Sequence, residues 1–410
     1  MSEKYLLGHE KLMKLSKRLG KDFSKTNPTD LELFVTHYFA STSRSDLSDR
    51  GYDAMYDNLK QAWAFYQQHD SHTPKVEFLH FDSGSEGAGA SKRGGTRILV
   101  LQDDMPFLVD SIRQALTRRS VIIKYINNAV LYSERNAKGS RAAGKLACIP
   151  PSITEGSSRE ALICLDCVRL SKEQSRLAEK EIRETLKHVA VAVKDYPAMC
   201  KQMEDVRAAL EKNAATVPAS KTSHQESLDF ITWMLDDHLT FLGYEKYCIS
   251  RTARSPVIEL QEKSPLGVSK YKTDIKAKVK LSDLSMGARD LILKKKICDF
   301  AKSGTRSKVH RPAYCDYVLI KEFDSNGEVS VEHRFLGLYT SSVYFQEVLD
   351  IPLLRRKVNA VLERSGFAQN GHNIKDLMQV INVFPRDELF QVSRSRSEER
   401  RVGKEGGWRV

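Results

Sequence analysis

Apolar residues recur at three- and four-residue spacing from Tyr5 to about Gln68, through Leu31, Leu33, Phe34, Tyr38 and Phe39 and then Tyr52, Met55, Leu59, Ala62 and Trp63. That is the period of helices burying one face. After a Gly/Ser-rich stretch from Asp82 to Gly95, the run from Thr96 to Leu101 predicts a short buried strand. A helical pattern from Phe107 to Arg119 follows, with Phe107, Leu108, Ile112, Ala115 and Leu116 on one face. Asp104 is placed to cap it and Pro106 to sit in its first turn. Strands are predicted over Val121 to Tyr132 and Ala161 to Val168, separated by a polar loop, with a long helix from Lys172 to about Asp195. The succession β-α-β-β-α is that of a ferredoxin-like sandwich, α+β in class, with helices on one face of an antiparallel sheet and a fourth strand left unplaced.

A polar stretch from Glu211 to His224 reads as a linker. Beyond it the pattern gives a helix from Gln225 to Asp237 and a strand from Leu239 to Ile249. Alternating runs at Tyr314 to Phe323 and Val329 to Tyr339 flank a Gly-containing turn at Asp324 to Gly327. Helices are predicted at Leu353 to Ser365, ended by Gly366, and at Ile374 to Val383, ended before Pro385. The expected organisation is a helical segment over 1–75, an α+β domain over 76–200, a connection over 201–224, a second antiparallel α+β module over 225–392, and a tail over 393–410.

Length changes this picture little, since 410 residues suit two or three domains. Charge changes it more. The formal +12 invites a nucleic-acid reading, but +3 of it lies in Ser393 to Val410, a segment without apolar periodicity. There the run from Arg396 to Glu405 resembles the translation of a common sequencing adapter, so the natural reading frame is expected to be lost near Val392. No groove-reading motif accompanies the charge, so nucleic acid is not expected as a partner. The first thirty residues hold charges every few positions, so neither a signal peptide nor a membrane span is expected and the cytoplasm is the expected location. Seven scattered cysteines make no disulfide framework.

Candidate chemistry is sparse. Gly84, Gly87, Gly89, Gly94 and Gly95 precede a strand, whereas a dinucleotide fingerprint follows one and opens a helix. Cys164 and Cys167 have metal-pair spacing but no second pair, and are expected to be core residues. Asp236, Asp237, His238 and His224 could ligate a metal, yet their place between helix and strand favours capping and turn roles. The basic runs Lys294 to Lys296 and Arg355 to Lys357 fall in helical patterns and read as solvated faces. Catalytic, cofactor-binding and metal-ligating residues are therefore all expected to be none.

The segment Asp103-Asp-Met-Pro-Phe-Leu-Val-Asp-Ser-Ile112 resembles the first strand–helix junction of the N-terminal ACT domain in the large bacterial NAD-specific glutamate dehydrogenases. Blocks at Trp233 to Tyr244, Arg311 to Tyr317, Arg334 to Thr340, Ile351 to Val358 and Pro385 to Gln391 resemble the same family in the same order. The resemblance implies an ACT-type βαββαβ domain followed by a PAS-like module. It also implies a parent enzyme that deaminates L-glutamate to 2-oxoglutarate with NAD, the catalytic domains lying elsewhere in that parent. This chain would then be an inactive regulatory and assembly region, holding no cofactor of its own and contacting other subunits in a homo-oligomer. The alternative is a freestanding amino-acid sensor. Either way the candidate effector or interface residues are Asp103, Asp104, Met105, Pro106, Phe107, Asp110 and Ser111. The family pattern has Gly after the proline, and the ring of Phe107 is expected to fill that space, which favours packing over sensing.

Overall fold

The computed structural model describes residues 3–42, 47, 50–69, 73–82, 94–136, 139–147, 157–251, 256–272, 277–367 and 371–391. The glycines 84, 87 and 89, most of the loop before Ser158 and the tail 393–410 lie outside the described residues. The chain divides into two compact units, Met1–Ala190 with Lys308–Arg311, and Val191–Ser307 with Pro312–Val410.

Among the described residues the first unit begins with helices α1 (Glu3–Asp22), α2 (Pro28–Tyr38) and α3 (Tyr52–Tyr66). The side chain of Asn27 accepts from the Thr29 N–H at 2.9 Å, and Pro28 occupies the first turn of α2, where no intrahelical N–H is needed. The sheet that follows is antiparallel throughout. It comprises β1 (Lys75–Phe81), β2 (Gly95–Asp103), β3 (Ile123–Arg135), β4 (Arg141–Ala147) and β5 (Ser157–Val168), ordered β1-β2-β5-β3-β4. Between β2 and β3 runs α4 (Leu108–Arg118), and after β5 comes α5 (Lys172–Lys212), a 41-residue helix with Pro197 inside it, of which the residues from Val191 on belong to the second unit. The strand flanking β2 on its outer side thus comes from upstream, at Lys75–Phe81. The stretch 141–147, expected as loop, is an edge strand.

Helices were expected on one face of this sheet, and they cover both. Residues alternate between the faces of a strand. Leu99, Leu101, Ala129, Leu131, Leu162 and Cys164 share a core with Leu15, Leu19, Phe34, Tyr38, Trp63 and Tyr66 of α1 to α3. The intervening Ile98, Val100, Ile163 and Leu165 are equally buried, as are Ile112, Ala115, Leu116, Ala178, Ile182 and Leu186 of α4 and α5. Buried ion pairs tie the helical lead-in to the sheet. Asp166 accepts from Arg97 at 2.7 Å and 3.0 Å, from Arg50 at 2.9 Å and from Asn58 at 3.0 Å. Arg141 pairs with Asp30 at 2.6 Å. At the outer edge Arg183 donates to the carbonyls of Pro74 and Val76, at 3.1 and 3.4 Å.

In the second unit α6 (Lys221–Trp233) is capped by Ser220, which accepts from the Ser223 N–H. The chain then turns through Met234–His238 into β6 (Leu239–Arg251). The strands β7 (Pro256–Leu260), β8 (Leu266–Gly267), β9 (Lys278–Lys280), β10 (Cys298–Arg306), β11 (Tyr314–Phe323) and β12 (Val329–Tyr339) complete an antiparallel sheet. Its order is β10-β11-β12-β6-β7-β9, with β8 paired to β6. The turn between β11 and β12 forms as expected: Asp324 Oδ1 accepts from the N–H groups of Asn326 and Glu328, and Gly327 takes φ 70°. Helix α7 (Met286–Leu293) precedes β10, and α8 (Ser341–Phe345), α9 (Leu354–Arg364), α10 (His372–Val383) and α11 (Arg386–Gln391) close the chain. The core gathers Phe230, Trp233, Phe241, Tyr244, Val318, Ile320, Phe335, Tyr339 and Phe390.

Candidate functional site at the first strand-to-helix junction

The junction from β2 to α4 departs from the expected capping. Asp104 does not cap α4: its backbone N–H donates to Arg159 O at 2.9 Å and its carboxylate pairs with Arg159 at 2.7 Å. The residue immediately before the helix is Phe107, in the left-handed region at φ 73°, with no side-chain cap. The backbone therefore keeps the conformation that glycine adopts freely, while carrying a benzyl group.

Residues Lys308–Arg311, grouped with the first unit, lie against this turn. The Phe107 ring sits 4.9 Å from that of His310, whose backbone N–H donates to Ser111 Oγ at 2.9 Å and whose carbonyl accepts from the Gln114 amide. Ser111 is fully buried in consequence. Desolvation holds the His310 imidazole below its usual pKa despite Asp110, whose carboxylate lies 3.9 Å from Nδ1. At neutral pH that contact joins a carboxylate to an uncharged ring.

A cleft of about 150 Å³ opens beside the turn, lined by Asp104, Met105, Phe107, Leu108, Val109, Asp110, Asn128 and Ala161. Of the residues expected here, Asp104, Met105, Phe107 and Asp110 line it. Asp103, at the exposed end of β2, Pro106, exposed in the turn, and the buried Ser111 do not. Asn128 and Ala161 come from neighbouring strands and His310 from far along the chain, and local sequence pattern has no means of finding them. The two aspartates give the cleft an acidic lining, unsuited to a carboxylate.

The other candidates take structural roles. Cys164 and Cys167 are buried in β5, and burial pushes their thiols up to about 11 and about 12, away from thiolate chemistry. His238 donates from Nδ1 to Trp233 O at 2.8 Å, accepts at Nε2 from the Gln346 amide and stacks on Trp233 at 4.5 Å. His224 bonds Leu210 O. No cluster of potential metal ligands occurs among the described residues, and no described helix is long and apolar enough to cross a membrane. Two expectations are corrected. Lys294 to Lys296 lie beyond the end of α7 and pair with Asp299 and Glu328. Arg355 and Lys357 of α9 are not a solvated face, since Arg355 binds Glu226 and Asp229, and Lys357 the carbonyls of Leu389 and Phe390.

The first unit is an antiparallel α+β domain, and its sequence matches an ACT-domain family. Residues 34–186 match the family described as the ACT1 domain of glutamate dehydrogenase, and residues 351–396 match its helical motif 1. The chain is 35% identical over 391 residues to an NAD-specific glutamate dehydrogenase of Halomonas elongata and 36% identical over 388 residues to one of Pseudomonas aeruginosa. Each alignment covers 93% of this chain and 23% of the relative. A Mycobacterium tuberculosis enzyme of the same name is 25% identical over 306 residues, 74% of this chain and 17% of the relative. The chain belongs to the NAD-specific glutamate dehydrogenase family, and spans less than a quarter of the length of the curated relatives it matches.

Proposed function

We propose that this chain is a regulatory and assembly region of an NAD-dependent glutamate dehydrogenase. The whole enzyme would convert L-glutamate, NAD and water to 2-oxoglutarate, ammonium and NADH in the cytoplasm, with hydride transfer performed outside this region. The observation that carries the assembly role is the filled junction. Where an ACT-type sensor would admit a ligand to the backbone, Phe107 and His310 occupy the space. The remaining cleft of about 150 Å³ falls below the several hundred typical of sites that enclose a small molecule. Residues Asp103 to Ser111 then serve to hold a packed surface, and the enzyme's other subunits are the partners.

The arrangement β2-β5-β3, with α4 and α5 following β2 and β5, supports an ACT-type reading of the first unit, with β1 standing where a fourth strand would. In the second unit the five long strands run in the order 2-1-5-4-3, first beside last, which supports the PAS-like reading.

Two measurements test the role. The purified chain, given L-glutamate and NAD, should form no NADH; formation at any rate above a blank removes the division of labour. Deleting residues 3–391 from the whole dehydrogenase should lower the number of subunits per particle, read as light-scattering mass divided by the shortened subunit mass. An unchanged subunit number would sink the assembly role.

A further inference from the structure

One face of the second sheet carries charge where its other face carries the apolar core. Strand pairing sets Leu319, Arg334 and Glu245 in one cross-strand row and Lys321, Glu332 and Tyr247 in the next, so all six point the same way. With Tyr317, Ala301 and Lys272, and under Ala288, Leu291 and Ile292 of α7, these residues other than Lys321 line a pocket of about 370 Å³. That volume lies within the range of small-molecule sites.

The charges inside are nearly all accounted for. Lys321, fully buried, directs its three donors to Leu291 O, Lys294 O and Asp299. Lys272 pairs with Glu245, which also accepts from the Tyr247 hydroxyl at 3.0 Å. Arg334 donates from Nε to Glu332 Oε1 at 2.7 Å and lies over the Tyr247 ring at 4.1 Å. Two capacities are left. Glu332 is wholly buried and its Oε2 has no hydrogen-bond partner. The terminal nitrogens of Arg334 make no hydrogen bond among the described residues. A buried carboxylate oxygen without a donor is costly, and native proteins rarely leave one unexplained.

We propose that this pocket binds a small zwitterion, an α-amino acid with an apolar side chain, whose carboxylate accepts from the free nitrogens of Arg334 and whose ammonium draws Glu332 Oε2, closed to solvent in this structure, round into contact. The lining holds Glu245 and Glu332 against Lys272 and Arg334, a neutral set that a ligand without net charge leaves balanced. Ala288, Leu291, Ile292 and Leu319 supply the apolar wall for the side chain. The site is separate from the Asp103 to Ser111 junction and does not depend on the assembly role.

The test is calorimetric titration of the intact chain with L-leucine, and separately with isoamylamine and 4-methylpentanoate, which keep one charged end each. Leucine should bind saturably, and each single-ended analogue at least tenfold more weakly. Glu332→Gln should weaken leucine at least tenfold, and Ala288→Phe, which fills the pocket without touching the charged rows, should abolish binding while the circular-dichroism melt stays cooperative. No saturable binding of leucine, equal binding of either analogue, or leucine binding indifferent to both substitutions in folded protein would each overturn the proposal.

Discussion

A bulky residue held at positive φ costs roughly 1–2 kcal/mol relative to glycine, and Phe107 bears that cost at φ 73°. Its ring contact with His310 offsets part of it. The two contributions separate in a pair of substitutions, because Phe107→Ala and Phe107→Gly both delete the ring and only glycine relaxes the backbone. Chemical denaturation should find the glycine variant more stable than the alanine variant by about 1 kcal/mol; equal stabilities would mean the turn rearranges. A second residue sets acid sensitivity. His333 is buried, with Nε2–H donating to Glu322 at 2.7 Å and Nδ1 accepting from the Tyr244 hydroxyl at 2.9 Å, and burial holds its pKa below the usual value near 6.5. The unfolded chain therefore binds a proton in a window that opens below pH 6.5 while the folded chain does not. Stability is full above that window and falls as pH drops through it. Melting temperature should decline from pH 6.5 downward, and His333→Gln should flatten the decline.

At the scale of elements, the attachment of α1, α2 and α3 to the first sheet rests on an apolar core and on charge pairs shut inside it. Asp166 and Arg97 are about 5% and 3% exposed, so removing one partner strands the other without water. Asp166→Ala should cost about 3–5 kcal/mol, whereas Arg176→Ala, whose partner Glu173 is solvated, should leave stability nearly unchanged. Urea titration of the two variants decides it, and comparable losses would refute the buried-pair account. The same attachment shows what periodicity discloses. Leu108, Ile112, Ala115 and Leu116 mark the buried face of α4 directly, and the long alternating runs at Tyr314 to Phe323 and Val329 to Tyr339 mark β11 and β12. It does not disclose that Leu99, Leu101 and Leu162 face α1 to α3, because a strand covered on both sides reads as continuous hydrophobicity whichever layer lies above it. Edge strands such as β4, with three alanines, a glycine and no β-branched or aromatic residue in seven, lack the propensity and alternation that set a strand apart from loop. The candidate site was legible as far as its local segment. Asn128, Ala161 and His310 arrive through tertiary pairing.

For the whole molecule, two units with separate cores predict separable responses. Gly267, at φ 59°, leaves no room for a Cβ beside the carbonyl of Leu242, and its N–H donates to Asp195 at 2.7 Å. Gly267→Ala should therefore lower amide protection across β6 and β12 by hydrogen exchange and leave β2 and β5 as protected as before. Loss of protection in both sheets would show one cooperative unit instead.

The guanidinium of Arg183 bears on a different property, the tendency of open sheets to polymerise. Strand β1 ends the first sheet with a row of backbone groups facing outward, and such a row is a template on which a stray strand from another chain can grow. Arg183, itself paired with Glu179, already holds the carbonyls of Pro74 and Val76 and so occupies acceptors that an added strand would need. In the vocabulary of polymer chemistry it is a chain stopper, so copies of this chain can be crowded together without their sheets running on into fibres.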